Sequence, residues 1–157
     1  MLLVLLACTA AARAQAAASS DHDVTMTAKT CPWLTMGTAA EVLGGDVTVT
    51  VAGNSDEGTC RFVRGGAAMD FLEVHVSAAP LRGCPAGSPP LRGIGNEAER
   101  CGVSEARGMT EEMASGRVRS VHFTVTISGR GRRSGHPSES DDDSLARIAD
   151  EVAGNLY

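Results

Sequence analysis

Four cysteines that follow an export-type leader, Cys31, Cys60, Cys84 and Cys101, constrain this chain more than any other feature. Their use depends on the compartment. The opening 1-MLLVLLACTAAARAQAAASS-20 is an apolar run followed by small residues and an Ala-Arg-Ala triplet, the form of a secretory signal cleaved after Ala14. Its apolar core, Leu2 to Ala12, is far shorter than the roughly 20 residues that cross a bilayer as a helix. A rival expectation takes Leu5-Leu6-Ala7-Cys8 as a lipid-attachment signal, with Cys8 acylated and the protein held on a membrane. Both expectations put the remaining chain in an extracytoplasmic space, periplasmic or secreted, where disulfides persist.

An even set of cysteines in an exported chain points to disulfides before metal, and four cysteines allow three pairings. Joining Cys31 to Cys60 and Cys84 to Cys101 closes two local loops without crossing, and this is the expected pairing. Zinc would want C-x2-C pairs or a histidine at ligand spacing, and neither is present. No cofactor fingerprint occurs either, so neither metal nor cofactor is expected.

Residues 1-14 are then the signal, 15-30 (QAAASSDHDVTMTAKT) a small, polar tether without period, and 31-157 a single domain,. Aromatics are only 3% of the chain, in Trp33, Phe62, Phe71, Phe123 and Tyr157, so the core must be filled by aliphatic side chains. Two disulfides, each contributing on the order of 3 kcal/mol in the chain-entropy model, supplement such a core. The formal net charge is -5, which excludes a nucleic-acid footprint. Arginine outnumbers lysine thirteen to one, as expected of a GC-rich genome.

The segment 34-LTMGTAAEVLGG-45 carries Thr38-x-x-Glu41, a capping box, and ends in two glycines that suit a helix C-cap, so it predicts a short helix. Next, 47-VTVTVA-52, 59-TCRFV-63 and 71-FLEVHVS-77 alternate or are rich in β-branched residues between turn-like segments, which predicts three antiparallel strands. In 117-RVRSVHFTVTIS-128, Val121, Phe123, Val125 and Ile127 point to one face and His122, Thr124 and Thr126 to the other. The preceding 109-MTEEMA-114 reads as the first arm of a hairpin turning at Ser115-Gly116. The stretch 129-143 is a solvated loop, basic at Arg130, Arg132 and Arg133 and acidic at Asp141 to Asp143. A final helix over 144-SLARIADEVAGNLY-157 carries one apolar stripe: Leu145, Ile148, Ala149, Val152 and Leu156. The fold class is α+β, a mostly antiparallel sheet with a short N-terminal helix and a C-terminal helix packed on one face, and two disulfides.

The most distinctive string, 91-LRGIGNEAERC-101, follows the proline-rich 85-PAGSPP-90. Gly93, Gly95 and Asn96 suit a structural turn in which Ile94 plugs the core and Ala98 begins a short strand; a lone G-x-G is weak evidence for phosphate binding. Glu97 and Glu99 are candidate carboxylates for which the sequence offers no partner acid or nucleophile.

Cys31 before a helix ending 43-LGG-45, Cys60 on a strand, 94-IGNEA-98, a hairpin and a last helix carrying 148-IADEVAGNL-156 together give an order similar to a family of exported actinobacterial domains of unknown function. Many of those are lipoproteins, and they look related to the extracytoplasmic sensor domain of a mycobacterial serine/threonine kinase. The resemblance covers Cys31 to Leu156. It implies an α+β fold with disulfides and a non-catalytic binding or sensing role.

The residues point the same way. No G-x-S-x-G elbow or S-x-x-K is present and no histidine has an evident orienting acid, so a small exported hydrolase is a lesser expectation. A wet sheet face carrying Glu73, His75, His122, Thr124 and Thr126 is the candidate binding face, for a small ligand or another envelope protein. His75 and His122 on adjacent strands are the one pair of imidazoles a sheet would bring near each other. The structural alternative is an envelope lipoprotein anchored through Cys8, the only route by which a membrane enters.

Overall fold

The structure is a computed structural model and describes residues 30–65, 69–102, 104–106, 108–130 and 139–157. The leader, Cys8, the tether up to residue 29 and the basic loop residues Arg132 and Arg133 lie outside the described residues.

Helix α1, Met36–Leu43, starts at Thr35, whose hydroxyl accepts a hydrogen bond from the Thr38 N–H at 3.1 Å. The cap is therefore one turn earlier than the Thr38-x-x-Glu41 pattern suggests. Thr38 is engaged elsewhere: its hydroxyl donates to Glu151 at 2.7 Å, while Glu41 pairs with Arg147 at 2.8 Å. The helix ends at Gly44, left-handed at φ 73°, as the Gly-Gly pair predicts,. Arg64 donates to the Leu43 carbonyl at 2.8 Å, which satisfies one of the acceptors a helix end leaves open,.

The chain returns as β1, Val47–Gly53, then β2, Gly58–Arg64, and β3, Phe71–Ser77. The predicted alternation holds along this meander: Val47, Val51, Cys60, Phe62, Leu72, Val74 and Val76 all face the core. After a long irregular segment come β4, Glu97–Arg100, and β5, Ser104–Ala106. The hairpin is β6, Met109–Val118, with β7, Val121–Arg130. One antiparallel sheet results, ordered β1-β2-β3-β7-β6-β4, with β5 also paired to β6.

The hairpin turns at Arg119-Ser120 and not at Ser115-Gly116, which lie inside β6 opposite Thr124 and Phe123. Gly116 is needed for a close approach. A Cβ there would lie 2.4 Å from the buried Phe123 ring and 3.0 Å from the Glu97 carbonyl. The actual turn places Arg119 at φ 54°, unusual for a residue with a side chain,. That conformation is held from a distance, because the Arg119 N–H donates to the Asn96 side-chain carbonyl.

Helix α2, Glu139–Asn155, begins earlier than the sequence suggests, so Asp141 to Asp143 fall in its N-terminal turns and not in a loop before it. Acidic residues suit that end of the helix dipole. Leu145, Ile148, Ala149 and Val152 are fully buried, and Leu156 packs at the margin. Both helices lie on one face of the sheet, α1 over β1, β2 and β3, and α2 over β6 and β7. Each fully buried Leu, Ile or Phe there contributes about 2 kcal/mol by leaving water. The helices are tied together by Glu151 on Thr35 and Thr38 and by Asn155 on the Trp33 carbonyl, while the Trp33 indole donates to Ser55 at 3.0 Å.

Two disulfides close the frame, Cys31–Cys60 and Cys84–Cys101, spanning 29 and 17 residues. Such bonds point to folding outside the reducing cytoplasm. Among the described residues no helix is long and apolar enough to cross a membrane.

Candidate functional site

With both helices on one face, the other face of the sheet carries mostly polar side chains. Register sets their rows. Arg61 stands beside Glu73, which faces Thr126; Thr59 stands beside His75, which faces Thr124 and, beyond it, Ser115. Ser77 faces His122, which stands opposite Arg117, and Arg117 faces Glu97 on β4.

Glu73, His75, His122, Thr124 and Thr126 therefore share one contiguous face, but their surroundings differ. Glu73 is held by Arg61 at 2.8 Å, and the same guanidinium lies 3.6 Å over the Phe71 ring. Its carboxylate thus already has a cationic partner. His75 and His122 sit diagonally on β3 and β7. Among the described residues no group of three His, Cys, Asp or Glu converges as a metal site would require,.

Of these five, His122 reaches a hollow at the β4 side of the face. The segment after β3 folds back over β6 and β4, and beneath it lies a hollow of about 320 Å³ walled by Pro80, Leu81, Gly83 and Cys84. Its floor is Glu97, Glu99, Ser115, Arg117 and His122. The overhang is fixed at both ends. Ser77 donates to Glu57 at 3.0 Å and accepts from the Ala79 N–H at 3.0 Å, which starts the turn. At the far end the Cys84–Cys101 disulfide ties the strap to the end of β4, with Cys84 Sγ 3.5 Å from the Glu99 carbonyl. Gly83 passes directly above Ser115.

Arg117 organises the floor. Its Nε donates to Glu97 at 2.7 Å and its Nη1 to the Arg119 carbonyl at 2.6 Å. The Arg117 hydrogen bond, and then its charge, hold the Glu97 carboxyl below its ordinary value of 4.5. Glu97 therefore stays ionised through mildly acidic pH and balances the guanidinium. Glu99, Ser115 and His122 make no side-chain hydrogen bond among the described residues, so their polar groups face the hollow available to a guest. Ser115 and His122 are not hydrogen-bonded to one another, the contact a serine nucleophile and its base would need.

The stretch 93-GIGN-96 is a brace beside this site. Gly93 and Gly95 take φ of 85° and 58°, Ile94 is buried, and a Cβ on Gly95 would meet the Arg117 carbonyl at 2.6 Å. The Asn96 N–H donates to Arg117 O at 2.8 Å, so this turn sets the hairpin that carries Arg117. Glu97, Glu99, Ser115 and Arg117 are site-lining residues that sequence reasoning did not group. Outward parity along an unbroken 109–118 strand is the signal that would have found Ser115 and Arg117.

No family model, curated protein or solved structure matches the chain.

Proposed function

We propose that the protein is a non-catalytic extracytoplasmic binding or sensing module that takes a small polar ligand in the hollow under the 78–84 strap. The observation that carries this reading is the hollow itself. Its floor offers the Glu99 carboxylate, the Ser115 hydroxyl and the His122 imidazole on the rigid sheet, and its volume is at the small end of ligand pockets,. Donors and acceptors held by strands cost little ordering entropy on binding. An extracytoplasmic home is supported by the two disulfides and by the leader-like first residues. The likeness to exported actinobacterial sensor-type domains, drawn from short sequence motifs, leads to the same class. Attachment through Cys8 is compatible with it, since a lipid anchor would leave the hollow free.

Titration of 15N-labelled protein with small envelope fragments, namely amino sugars, muramyl peptides and free amino acids, tests the proposal. Shift changes should cluster at Glu99, Ser115, Arg117 and His122. His122→Ala should abolish them with the melting temperature unchanged. Shifts confined to Arg61, Glu73 and His75 would move the site to the other half of the face. Turnover of an ester or peptide that Ser115→Ala removes would make the protein a hydrolase.

A further inference from the structure

The two edges of the sheet are treated differently by the chain. At one edge, β4 is covered: Leu91 N–H donates to Ala98 O at 2.8 Å, Arg100 N–H donates to Pro89 O at 2.9 Å, and Pro90 bridges Glu99. The covering segment contributes prolines, which offer no further donor to a new strand. At the other edge, among the described residues, β1 pairs only with β2. It has no proline, lysine or bulge, since its seven residues pair with β2 in unbroken register, although such devices normally guard an open edge.

Which backbone groups face outward follows from the ladder. Gly65 N–H donates to Asp46 O and Asn54 N–H to Glu57 O, so these two pairs are hydrogen-bonded ones at the two ends of the β1–β2 ladder. Antiparallel pairs alternate between bonded and non-bonded, so Thr48, Thr50 and Ala52 bond to β2 while Val47, Val49 and Val51 direct both backbone groups away from the sheet,. Among the described residues nothing receives them.

The sequence at this edge is a palindrome. Val47-Thr48-Val49-Thr50-Val51 reads the same in both directions, so an antiparallel copy centred on Val49 meets it like with like. We propose that two copies of the protein join their sheets through β1, with Val49 facing Val49 across a two-fold axis normal to the sheet. In this register Val49 exchanges both backbone hydrogen bonds with its counterpart, and Val47 does so with Val51 of the second copy. The outward-facing groups of the three valines are then satisfied. Thr48 stands opposite Thr50 on the wet face, a favourable cross-strand pair. Asp46 meets Ala52, so no like charges oppose. On the inner face Val47 and Val51 are already buried, whereas Val49, at the axis, is half-exposed; its partner is the same side chain from the second copy. A self-complementary edge favours a closed, isologous dimer over a foreign strand. The join leaves the two hollows at the far ends of one continuous sheet.

Sedimentation equilibrium of the disulfide-bonded chain from residue 15 onward, from micromolar to millimolar, reads the association directly. A dimer is expected, with the Val47, Val49 and Val51 amides gaining hydrogen-exchange protection as concentration rises. Thr48→Lys with Thr50→Lys sets lysine against lysine across the seam and should weaken association at least tenfold. Thr48→Lys with Thr50→Glu sets each lysine against a glutamate and should restore it. Both pairs alter exposed side chains only, and an unchanged melting temperature confirms that the variants fold. A dimer indifferent to the double lysine variant, or not restored by the lysine–glutamate variant, overturns the register. A wild-type monomer at every concentration overturns the proposal. If the chain shortened to begin at Lys29 then dimerises, the edge belongs to the alternating 24-VTMTA-28 of the same chain.

Discussion

The two disulfides stand at opposite ends of the same sheet and serve different ends. Cys31–Cys60 fastens the first described residues to the middle of β2, and Cys60 is fully buried among the valines of β1 and β3. Cys84–Cys101 fastens a strap on the polar face to the end of β4, and Cys84 is only half-buried. Loop length does not distinguish them. In the chain-entropy model loops of 29 and 17 residues are worth about 3.6 and about 3.1 kcal/mol, a difference of roughly half a kcal/mol. The contrast comes from what each bond positions. The first brings Trp33 and α1 onto the core, where Trp33 reaches both Ser55 and Asn155. The second positions Gly83 and Cys84 over Ser115 and Glu99, and so builds the hollow.

The largest effects test that division. Replacing both Cys31 and Cys60 by alanine should cost about 4 to 5 kcal/mol, the entropy of the cross-link plus the buried sulfur volume, measured by guanidinium unfolding. Replacing Cys84 and Cys101 by alanine should cost about 3 kcal/mol or less, with the fold retained and the shift changes at Ser115 and His122 lost. Equal losses of stability and retained binding in the second variant would break the comparison.

A smaller effect sharpens it within the second region. Gly116→Ala drives a Cβ to 2.4 Å from the Phe123 ring, an overpacking that should cost about 2 kcal/mol. Phe123→Leu in the same chain should recover part of that loss, a coupling readable in a double-mutant cycle by thermal unfolding. If Gly116 mattered only for backbone freedom, the two substitutions would add without coupling.

That position also marks where sequence reasoning stopped. The first region was legible because its information is local: alternation over 47–52 and 71–77 and the glycines after Leu43 determine strands and cap without reference to distant residues. The stripe of α2 was legible for the same reason. Around the hollow the determinants are remote. Ser115-Gly116 carries the chemistry of a turn, yet its glycine serves a ring on the neighbouring strand. The true turn at Arg119 shows no local signal, because Asn96 holds it from 23 residues away. Misplacing that turn hid the parity that puts Ser115 and Arg117 on the floor with His122. Glu97 and Glu99 were visible as carboxylates, but Arg117, the partner of Glu97, and Ser115, which stands opposite Glu99, are joined to them only by β4–β6 register. The cap illustrates the limit on a smaller scale: Thr38 reads as the start of α1 until Glu151, on the other helix, claims its hydroxyl.

The smallest predicted effect concerns the Glu97–Arg117 pair and separates its part in stability from its part in the site. Glu97 is largely exposed, so screening by water leaves the pair a minor contributor,. Its folded-state pKa lies below the unfolded value near 4.5 because Arg117 bonds to and attracts the ionised form. A depressed carboxyl stabilises the fold fully above the unfolded value and ceases to do so as pH falls through the folded one. The melting-temperature difference between the protein and Glu97→Gln should thus be constant from neutrality to about pH 5.5, no more than about 2 °C, and should vanish in stronger acid. At neutral pH the same substitution removes the charge that balances Arg117 in the hollow. Anionic fragments should then bind Glu97→Gln more tightly than the unsubstituted protein, and neutral sugars should not distinguish the two. A gain for both classes would mean that Glu97 obstructs the hollow by its bulk, and no gain for either would place the guest away from Arg117.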